Sequence, residues 1–568
     1  MRGTELVFDA LRQEGIHTVF MVPGGVNDAF MPPMTGTPGI TTVVAAHEGG
    51  AAYMADGSAR ASGRFGVAFG IGGPGIFNMT TALASSFSDR TRVLAISGEV
   101  PTNFEGRGAF QDASGAALDD VGVARPVTGL SVAAEDPAVL PVHLRRLVTH
   151  MVVRRVPVHL SVPTDVQQAE VDDTWDPLPD TTYHSSTVDV AALDPLWATL
   201  AGARTITALA GPGIRNSDAS GELIEFAERF GIPVATTLVA KGVMPEDHPL
   251  SLGVFGYAGS RWATDALLSP DVDVLLVLGS GLTQRDTMYW DDRLRPRQAI
   301  VHVDFDATLI GRTWPAVPVV GDPRAVLRAL LGASDERAAA LEASAGARRT
   351  WLERVQAGGS RHYDEENCTS DATPIHPARA ISELRTAAPH DTVMCVDSGA
   401  HRAWAGHYWS AYGPRDYVTA TNLGPMGAAV PLAVGAKLAR PDVPCAVVVG
   451  DGCMLMHGME LHTAVREGVP IVVVVMNNRA YGNIWFRAHT MGPGPEALTD
   501  ITGIDWAAFA RSLGADAATV TEPDQLAPAF ATAFASSRPF LVDVHVDKQA
   551  AKPTTPWTDA VYAWEDDH

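Results

Sequence analysis

The chain is short of cysteine and of positive charge, and it has no long apolar run. Four cysteines occur, Cys368, Cys395, Cys445 and Cys453, with no CxxC spacing. That pattern excludes a zinc ribbon and a disulfide framework, and it fits a reducing cytoplasm. Lys and Arg number 42 against 65 Asp and Glu, a formal net charge of −23. This argues against nucleic acid or an anionic membrane as a partner. A small anionic substrate stays compatible, because a site can be locally positive. No apolar run approaches the roughly 18 residues that span a membrane. The first residues, MRGTELVFDALRQEG, pattern as an amphipathic helix and lack a signal-peptide core. There is no GxSxG elbow of a serine hydrolase, no short-period repeat and no low-complexity tract. Hydrophobic residues make up 46% and charged ones 19%, so large cores can form. A length of 568 residues suggests about three domains.

What is present centres on Ala446 to Asn483. Ala446–Val449 reads as a buried strand ending in Gly450-Asp451-Gly452. A helical segment follows, with Met454, Met456, Met459, Leu461 and Val465 on roughly one side, and Gly468 and Pro470 close it. Ile471–Met476 is β-branched and reads as a second buried strand, ending in Asn477-Asn478. Strand, helix and strand form a right-handed βαβ unit. Both polar clusters then emerge at the carboxyl edge of one parallel sheet, where open α/β sheets bind ligands. Asp451 and Asn478 offer the hard oxygen donors that suit Mg²⁺. Gly450 and Gly452 let the backbone approach a diphosphate, and the next helix presents free N–H groups. A lone GDG is as often an ordinary strand-end turn; GDG followed by NN is more specific.

The rest of the chain predicts an α/β fold of three doubly wound parallel-sheet domains, at 1–172, 190–332 and 373–568. In the first, strands at His17–Met21, Thr41–Ala46, Val67–Ile71, Val93–Ser97 and Val158–Val162 alternate with helices. Asp172–Asp189 is Asp- and Pro-rich and reads as a linker. The second has strands at Thr205–Ala210, Val234–Thr237, Val274–Leu278 and Ala299–Val303. Its Gly211-Pro212-Gly213 lacks the third glycine of a dinucleotide fingerprint and reads as a tight turn. Residues 333–372 read as an exposed helix and a polar connection.

The GDG–NN unit resembles the thiamine diphosphate motif of the pyruvate decarboxylase and acetolactate synthase superfamily. That resemblance implies a metal held by Asp451, Asn478 and the backbone carbonyl of Ala480. It implies cofactor contacts along Gly452, Cys453 and Tyr481-Gly482-Asn483. HEGGAAYMADGSAR resembles the stretch around the family's catalytic glutamate, here Glu48. A carboxyl bound to the aminopyrimidine favours the imino tautomer, whose 4′-nitrogen takes the C2 proton. Read alone, Glu48 is a helix-start carboxylate. Leu423-Gly424-Pro425-Met426-Gly427 resembles the segment that cups the pyrimidine, with the Gly424 carbonyl and the Met426 wedge. Ser398, Gly399, Ala400 and His401 resemble a second diphosphate turn; His401 is equally readable as a capping histidine. In this family the glutamate and the diphosphate site come from different subunits, so the resemblance implies a homodimer or homotetramer.

The match to acetolactate synthases runs over nearly the whole chain. Gly73-Pro74-Gly75 with Asn78 resembles their GPGxxN, Phe110-Gln111 their active-site loop, and Arg285 the arginine that meets the second oxo acid. Pro23 in the first strand-end turn and Gln111 join the implied site. An arginine there suits a bidentate carboxylate clamp, although a surface arginine has the same signature. Asn483 departs from the larger apolar residue of those enzymes, and GVFGYAGS departs from their flavin-contacting segment, so FAD stays open. Some relatives place a histidine pair before the GPG-like turn, and here Ile71 and Gly72 stand there. The missing acid favours trapping by a second carbonyl over aldehyde release. The expected function is decarboxylation of a 2-oxo acid such as pyruvate and transfer of the acyl anion to an acceptor. A non-ligating decarboxylase or carbon–carbon lyase is the alternative within enzymes. A catalytically silent cofactor-binding homologue is the alternative outside them.

Overall fold

The protein is described here from a computed structural model, over residues 1–333, 336–553 and 555–557. The last stretch assigned to the third domain, residues 558–568, and part of the polar connection, residues 334–335, lie outside the described residues. Valine, isoleucine and alanine runs form three six-stranded sheets in which every pairing is parallel. The first comprises β1 (Thr18–Met21), β2 (Thr41–Val44), β3 (Gly66–Ile71), β4 (Val93–Glu99), β5 (Leu130–Ala133) and β6 (Val158–Pro163). The second comprises β7 (Ile206–Ala210), β8 (Val234–Thr236), β9 (Ser251–Val254), β10 (Val274–Leu278), β11 (Ala299–Asp304) and β12 (Val317–Val320). The third comprises β13 (Val393–Val396), β14 (Tyr417–Thr419), β15 (Cys445–Gly450), β16 (Val472–Asn477), β17 (Asp516–Val520) and β18 (Phe540–His545).

The first and third sheets share one winding, β2-β1-β3-β4-β6-β5 and β14-β13-β15-β16-β18-β17. The middle sheet runs β9-β8-β7-β10-β11-β12, the order of a dinucleotide fold. Strands buried on both faces read as continuous apolar runs, which makes the central ones legible except β18, whose run Asp543 interrupts. The short outer strands β5, β9, β12, β14 and β17 were not, because their patterns are too brief to separate from loops.

Two small-residue helices join the outer domains: α1 (Glu48–Ser62) and, in the third domain, Ala429–Ala439. A Cβ on Gly57 would run into the Leu432 carbonyl, and one on Gly435 into the Met54 carbonyl. The two backbones therefore nearly touch, which only glycine permits. One core of buried residues accordingly runs from Val43 and Ala51 through Met79 to Leu432 and Val447.

Two expectations change. The Asp172–Asp189 stretch is packed rather than loose. Trp175 Nε1 and the Tyr183 hydroxyl both donate to Glu14, at 2.8 and 2.7 Å. The segment after 333 is two helices, Glu336–Ala343 and Ala345–Gln356, whose Arg348, Trp351 and Leu352 are buried. Aromatic anchors and a buried arginine tie down what a polar composition made look exposed.

Candidate active site

β15 and β16 lie side by side, with Val449 opposite Val475 and Gly450 opposite Met476. Their ends therefore open at one edge, as the βαβ reading requires. Here a cavity of about 210 Å³ is lined by Asp451, Gly452, Cys453, Asn478, Ala480 and Tyr481-Gly482-Asn483. Ser398 to His401 line it from the end of β13, and Gly424 and Met426 from the turn before the Ala429–Ala439 helix. No single stretch makes this cup: it is built at the ends of β13, β15, β16 and β18 and by the turn that follows β14.

Asp451 is 2% exposed. Its Oδ1 accepts from the Gly452 N–H at 2.9 Å, whereas Oδ2 is buried without a partner. Burial pushes its pKa up to about 6, against the pull of the N–H groups of Gly452, Arg479 and Ala480. A buried carboxylate oxygen facing a cavity without a donor is a position built for a cation. Asn478 Oδ1 lies 3.1 Å from the Ala480 nitrogen, which folds the Asn478–Ala480 loop back toward Asp451. One carboxylate, one amide and one carbonyl form a hard-oxygen set that suits Mg²⁺. Among the described residues no cluster of three His, Cys, Asp or Glu side chains forms a metal site, and this set needs none.

The diphosphate side fits as well. A Cβ on Gly452 would stand 2.6 Å from the Tyr481 ring, so only glycine keeps this floor open. α2 (Asp451–His457) starts there and points its free N–H groups at the cavity. His401 is not a capping histidine: its helix, His401–Tyr408, has no side-chain cap, and its Nε2 is buried without a partner. Burial and the neighbouring Arg402 push its pKa down to about 3, which keeps the ring neutral. Asp397 pins the Met426 turn by accepting from the Gly427 and Ala429 N–H groups at 3.0 and 2.9 Å.

The expected helix after GDG is broken in two, at Gly458 between α2 and α3 (Glu460–Arg466). Met454 and Leu461 are buried, but Met456 and Met459 are half exposed. The break frees Glu460 to act across domains. Its carboxylate accepts from the Ala46 and His47 N–H groups, each at 3.1 Å, and from Thr463 Oγ1 at 2.6 Å. Glu460 thus fixes the start of α1, where His47 Nδ1 caps the helix by accepting from the Gly49 N–H at 3.0 Å.

Glu48 is held by Asn78, whose Nδ2 donates to Glu48 Oε2 at 2.9 Å. With Pro23, Gly73, Asn78 and Gln111 it occupies the first domain, and none of these five lines the 210 Å³ cavity. Within one chain the Glu48 loop packs against His457 and Glu460. His457 stands six residues beyond Asp451, about 9 Å along the helix. Arg285, after β10, lies outside the cavity too, its guanidinium 4.7 Å from the centre of the Tyr257 ring.

Family models match all three parts of the chain. A thiamine pyrophosphate enzyme N-terminal TPP binding domain matches residues 1–119, a central domain 193–330, and a C-terminal TPP binding domain 397–544. The chain belongs to the thiamine pyrophosphate enzymes. A probable acetolactate synthase large subunit of Methanocaldococcus jannaschii is 32% identical over 98% of this chain and 94% of its own length. The acetolactate synthase large subunit of Corynebacterium glutamicum is 32% identical, over 97% and 87%. Acetolactate synthase 3, chloroplastic, of Brassica napus is 30% identical, over 96% and 83%. The similarity to these relatives runs over most of the chain, and the two TPP binding domains of this thiamine pyrophosphate enzyme fall on the first and third sheets. The sequence reading missed Trp404, Asp547 and Glu460. Trp404 follows His401 by three on one helix, a spacing that shares a face. Asp547 lies just past β18, at the same edge. Glu460 had no signal beyond being a carboxylate in a helix.

Proposed function

We propose that this enzyme decarboxylates a 2-oxo acid such as pyruvate and joins the acyl unit to a second carbonyl compound. The observation that carries the reading is the pairing of two half-sites. One is a cavity with an unpartnered Asp451 Oδ2 and a glycine floor. The other is Glu48, poised on Asn78 outside it. Asp451, Asn478 and the Ala480 carbonyl hold Mg²⁺; the α2 start and His401 Nε2 hold the diphosphate. Thiamine diphosphate, when bound there, supplies a nucleophilic carbon and an electron sink. Glu48 holds a proton for the pyrimidine, Met426 shapes the cofactor, and Gln111, Asn483 and Arg285 meet the substrates. Arg285 binds the acceptor carboxylate. The ligation is redox-neutral, so FAD has no chemical step here. The first, second and third domains of this reading span 1–172, 190–332 and 373–568.

Glu48 reaches the cavity only from a second copy. The first domain exposes Phe104, Phe110 and Leu118, with Phe110 85% exposed, and the third exposes Leu423, Met456, Met459 and Ile484. Apolar patches on both halves suit a homodimer, itself the unit of a homotetramer. No helix among the described residues is long and apolar enough to cross a membrane.

A specific observation favours aldehyde release as a second reading. Glu99, at the end of β4, is buried with Oε2 unpartnered. A Cβ on Gly72 would stand 2.6 Å from that oxygen, so the carboxyl occupies the place of a side chain at 72. Burial pushes its pKa up to about 7, against the N–H groups of Val100 and Ala113. An acid of that strength can protonate a carbanion. Incubation with thiamine diphosphate, Mg²⁺ and 2-oxo acids, singly and in pairs, decides by product mass. Mixed acyloins support ligation; aldehyde and CO₂ alone support the second reading. No turnover of any oxo acid by a cofactor-loaded enzyme contradicts both.

A further inference from the structure

A second cavity, of about 30 Å³, lies where the three domains meet, and seven arginines line it. Roughly 10–15 Å³ of such space holds one water, so this one has room for a small ion and not for a nucleotide. It sits at the strand entries of the first sheet: Arg64 precedes β3, Arg92 precedes β4 and Arg155 precedes β6. Glu48 and Gly73 follow strand exits, so this is the opposite edge from the proposed catalytic one.

Four of the seven have carboxylate partners. Arg60 pairs with Asp56 and Asp89, Arg90 with Asp306 at 2.6 Å, Arg155 with Asp322 at 2.8 Å and Arg415 with Asp218 at 2.6 Å. Arg64, Arg92 and Arg215 have none among the described residues. Arg92 is 8% exposed and Arg215 4%. Arg92 Nη1 donates to the Gly63 carbonyl at 3.3 Å, and Arg215 Nη1 to the Val239 carbonyl at 3.0 Å. Arg92 Nε and Arg155 Nη1 are buried with no partner at all. Burial, with Arg155 and Arg415 nearby, pushes Arg92 down to about 9; burial, with Arg60 and Arg415 nearby, does the same to Arg215. A guanidinium stays charged in proteins, so seven arginines against five carboxylates leave an excess of positive charge here, with Asp218 near Arg92, Asp56 and Asp89 near Arg215, Arg64 exposed, and Arg92, Arg155 and Arg215 buried.

A structural role alone accounts for part of this. Arg64 and Arg92 flank the Tyr183 ring, at 5.0 and 5.8 Å from its centre, and carbonyls satisfy several N–H groups. It does not account for two buried, unpartnered N–H groups beside three unpaired charges. Guanidinium forks match tetrahedral oxyanions, and each bond is charge-assisted. We propose that this cavity binds one small tetrahedral oxyanion of the phosphate class, held by Arg64, Arg92, Arg215 and the free Nη1 of Arg155. The anion would lock the three domains together at their junction. The inference is independent of which carbonyl substrates the enzyme takes.

The test uses the enzyme loaded with thiamine diphosphate and Mg²⁺, so that the diphosphate cavity is already filled. Thermal unfolding is compared in inorganic phosphate and in chloride at equal ionic strength. Phosphate is expected to raise the midpoint by roughly 2 °C or more, and titration calorimetry to find one phosphate per chain. Arg92→Met should abolish that response and raise the midpoint in chloride, because it removes an unpaired like charge. Arg215→Met is the second variant, should the first fail to fold. Sulfate should substitute for phosphate. Equal midpoints in phosphate and chloride would overturn the proposal, as would a phosphate response that survives in Arg92→Met or Arg215→Met. Pyrophosphate binding more tightly than phosphate would also overturn it, since the cavity would then serve a larger molecule.

Discussion

At the scale of single residues, the site rests on groups whose partners are missing within the chain. Asp451 Oδ2 is the clearest, and Asp451→Ala is expected to weaken thiamine diphosphate binding on the order of 100-fold. Titration calorimetry in Mg²⁺ measures it, and an unchanged affinity would remove Asp451 from the metal site. Gly452→Ala places a methyl against the Tyr481 ring. Cofactor affinity should fall while the far-ultraviolet circular dichroism stays that of the parent. Glu99 makes a prediction about pH. Its carboxyl titrates near 7 when folded and near 4.5 when unfolded, so the folded state holds the proton more tightly. Its contribution to stability is full below pH 4.5 and is lost as pH rises through 7. Glu99→Gln should therefore unfold at a higher temperature than the parent at pH 8 and gain little or nothing at pH 4.5, by scanning calorimetry at both.

At the scale of elements, the strand–helix–strand unit was legible because its chemistry is local. Val447 to Val449 and Val473 to Val475 are buried to 0%, and continuous β-branched runs announce such strands. GDG and NN fall where those runs stop, so the metal loop could be placed without a structure. The break at Gly458 was not legible, since one residue does not disturb a helical period enough to be seen. Its consequence, the Glu460 clamp on Ala46 and His47, depends on a contact more than 400 positions apart in the chain and leaves no local trace. Glu460→Ala removes an acceptor from two backbone N–H groups. It should cost about 2 kcal/mol of stability and lower kcat through Glu48 more than it lowers cofactor affinity. A variant whose cofactor affinity and kcat fall together would argue against that positioning role. Gly435→Val tests the helix contact. Its side chain meets the Met54 carbonyl, and denaturant unfolding should show a loss of about 1–3 kcal/mol or an unfolded chain.

At the scale of the whole molecule, three parallel sheets place one half of the machinery on the first domain and the other on the third. The pattern of strands predicts three α/β units, and family profiles match in the same three parts. What a sequence cannot display is distance: that Gly49 and Gly50, next to Glu48, pack against His457 and Glu460, along the helix from Asp451, emerges only from the packing of α1. That separation is the reason for proposing that Glu48 of the partner subunit completes the cavity. Mixing two inactive variants tests this most directly. Glu48→Gln and Asp451→Asn chains are unfolded together, refolded, loaded with thiamine diphosphate and Mg²⁺, and assayed for CO₂ release from the 2-oxo acid the parent enzyme turns over. In a mixed dimer with sites shared between chains, one site receives both intact residues. Random pairing then restores about a quarter of the parent activity. If each chain supplied its own Glu48 and Asp451, no site in any dimer would be intact, and a mixture as inactive as its components would contradict the shared site.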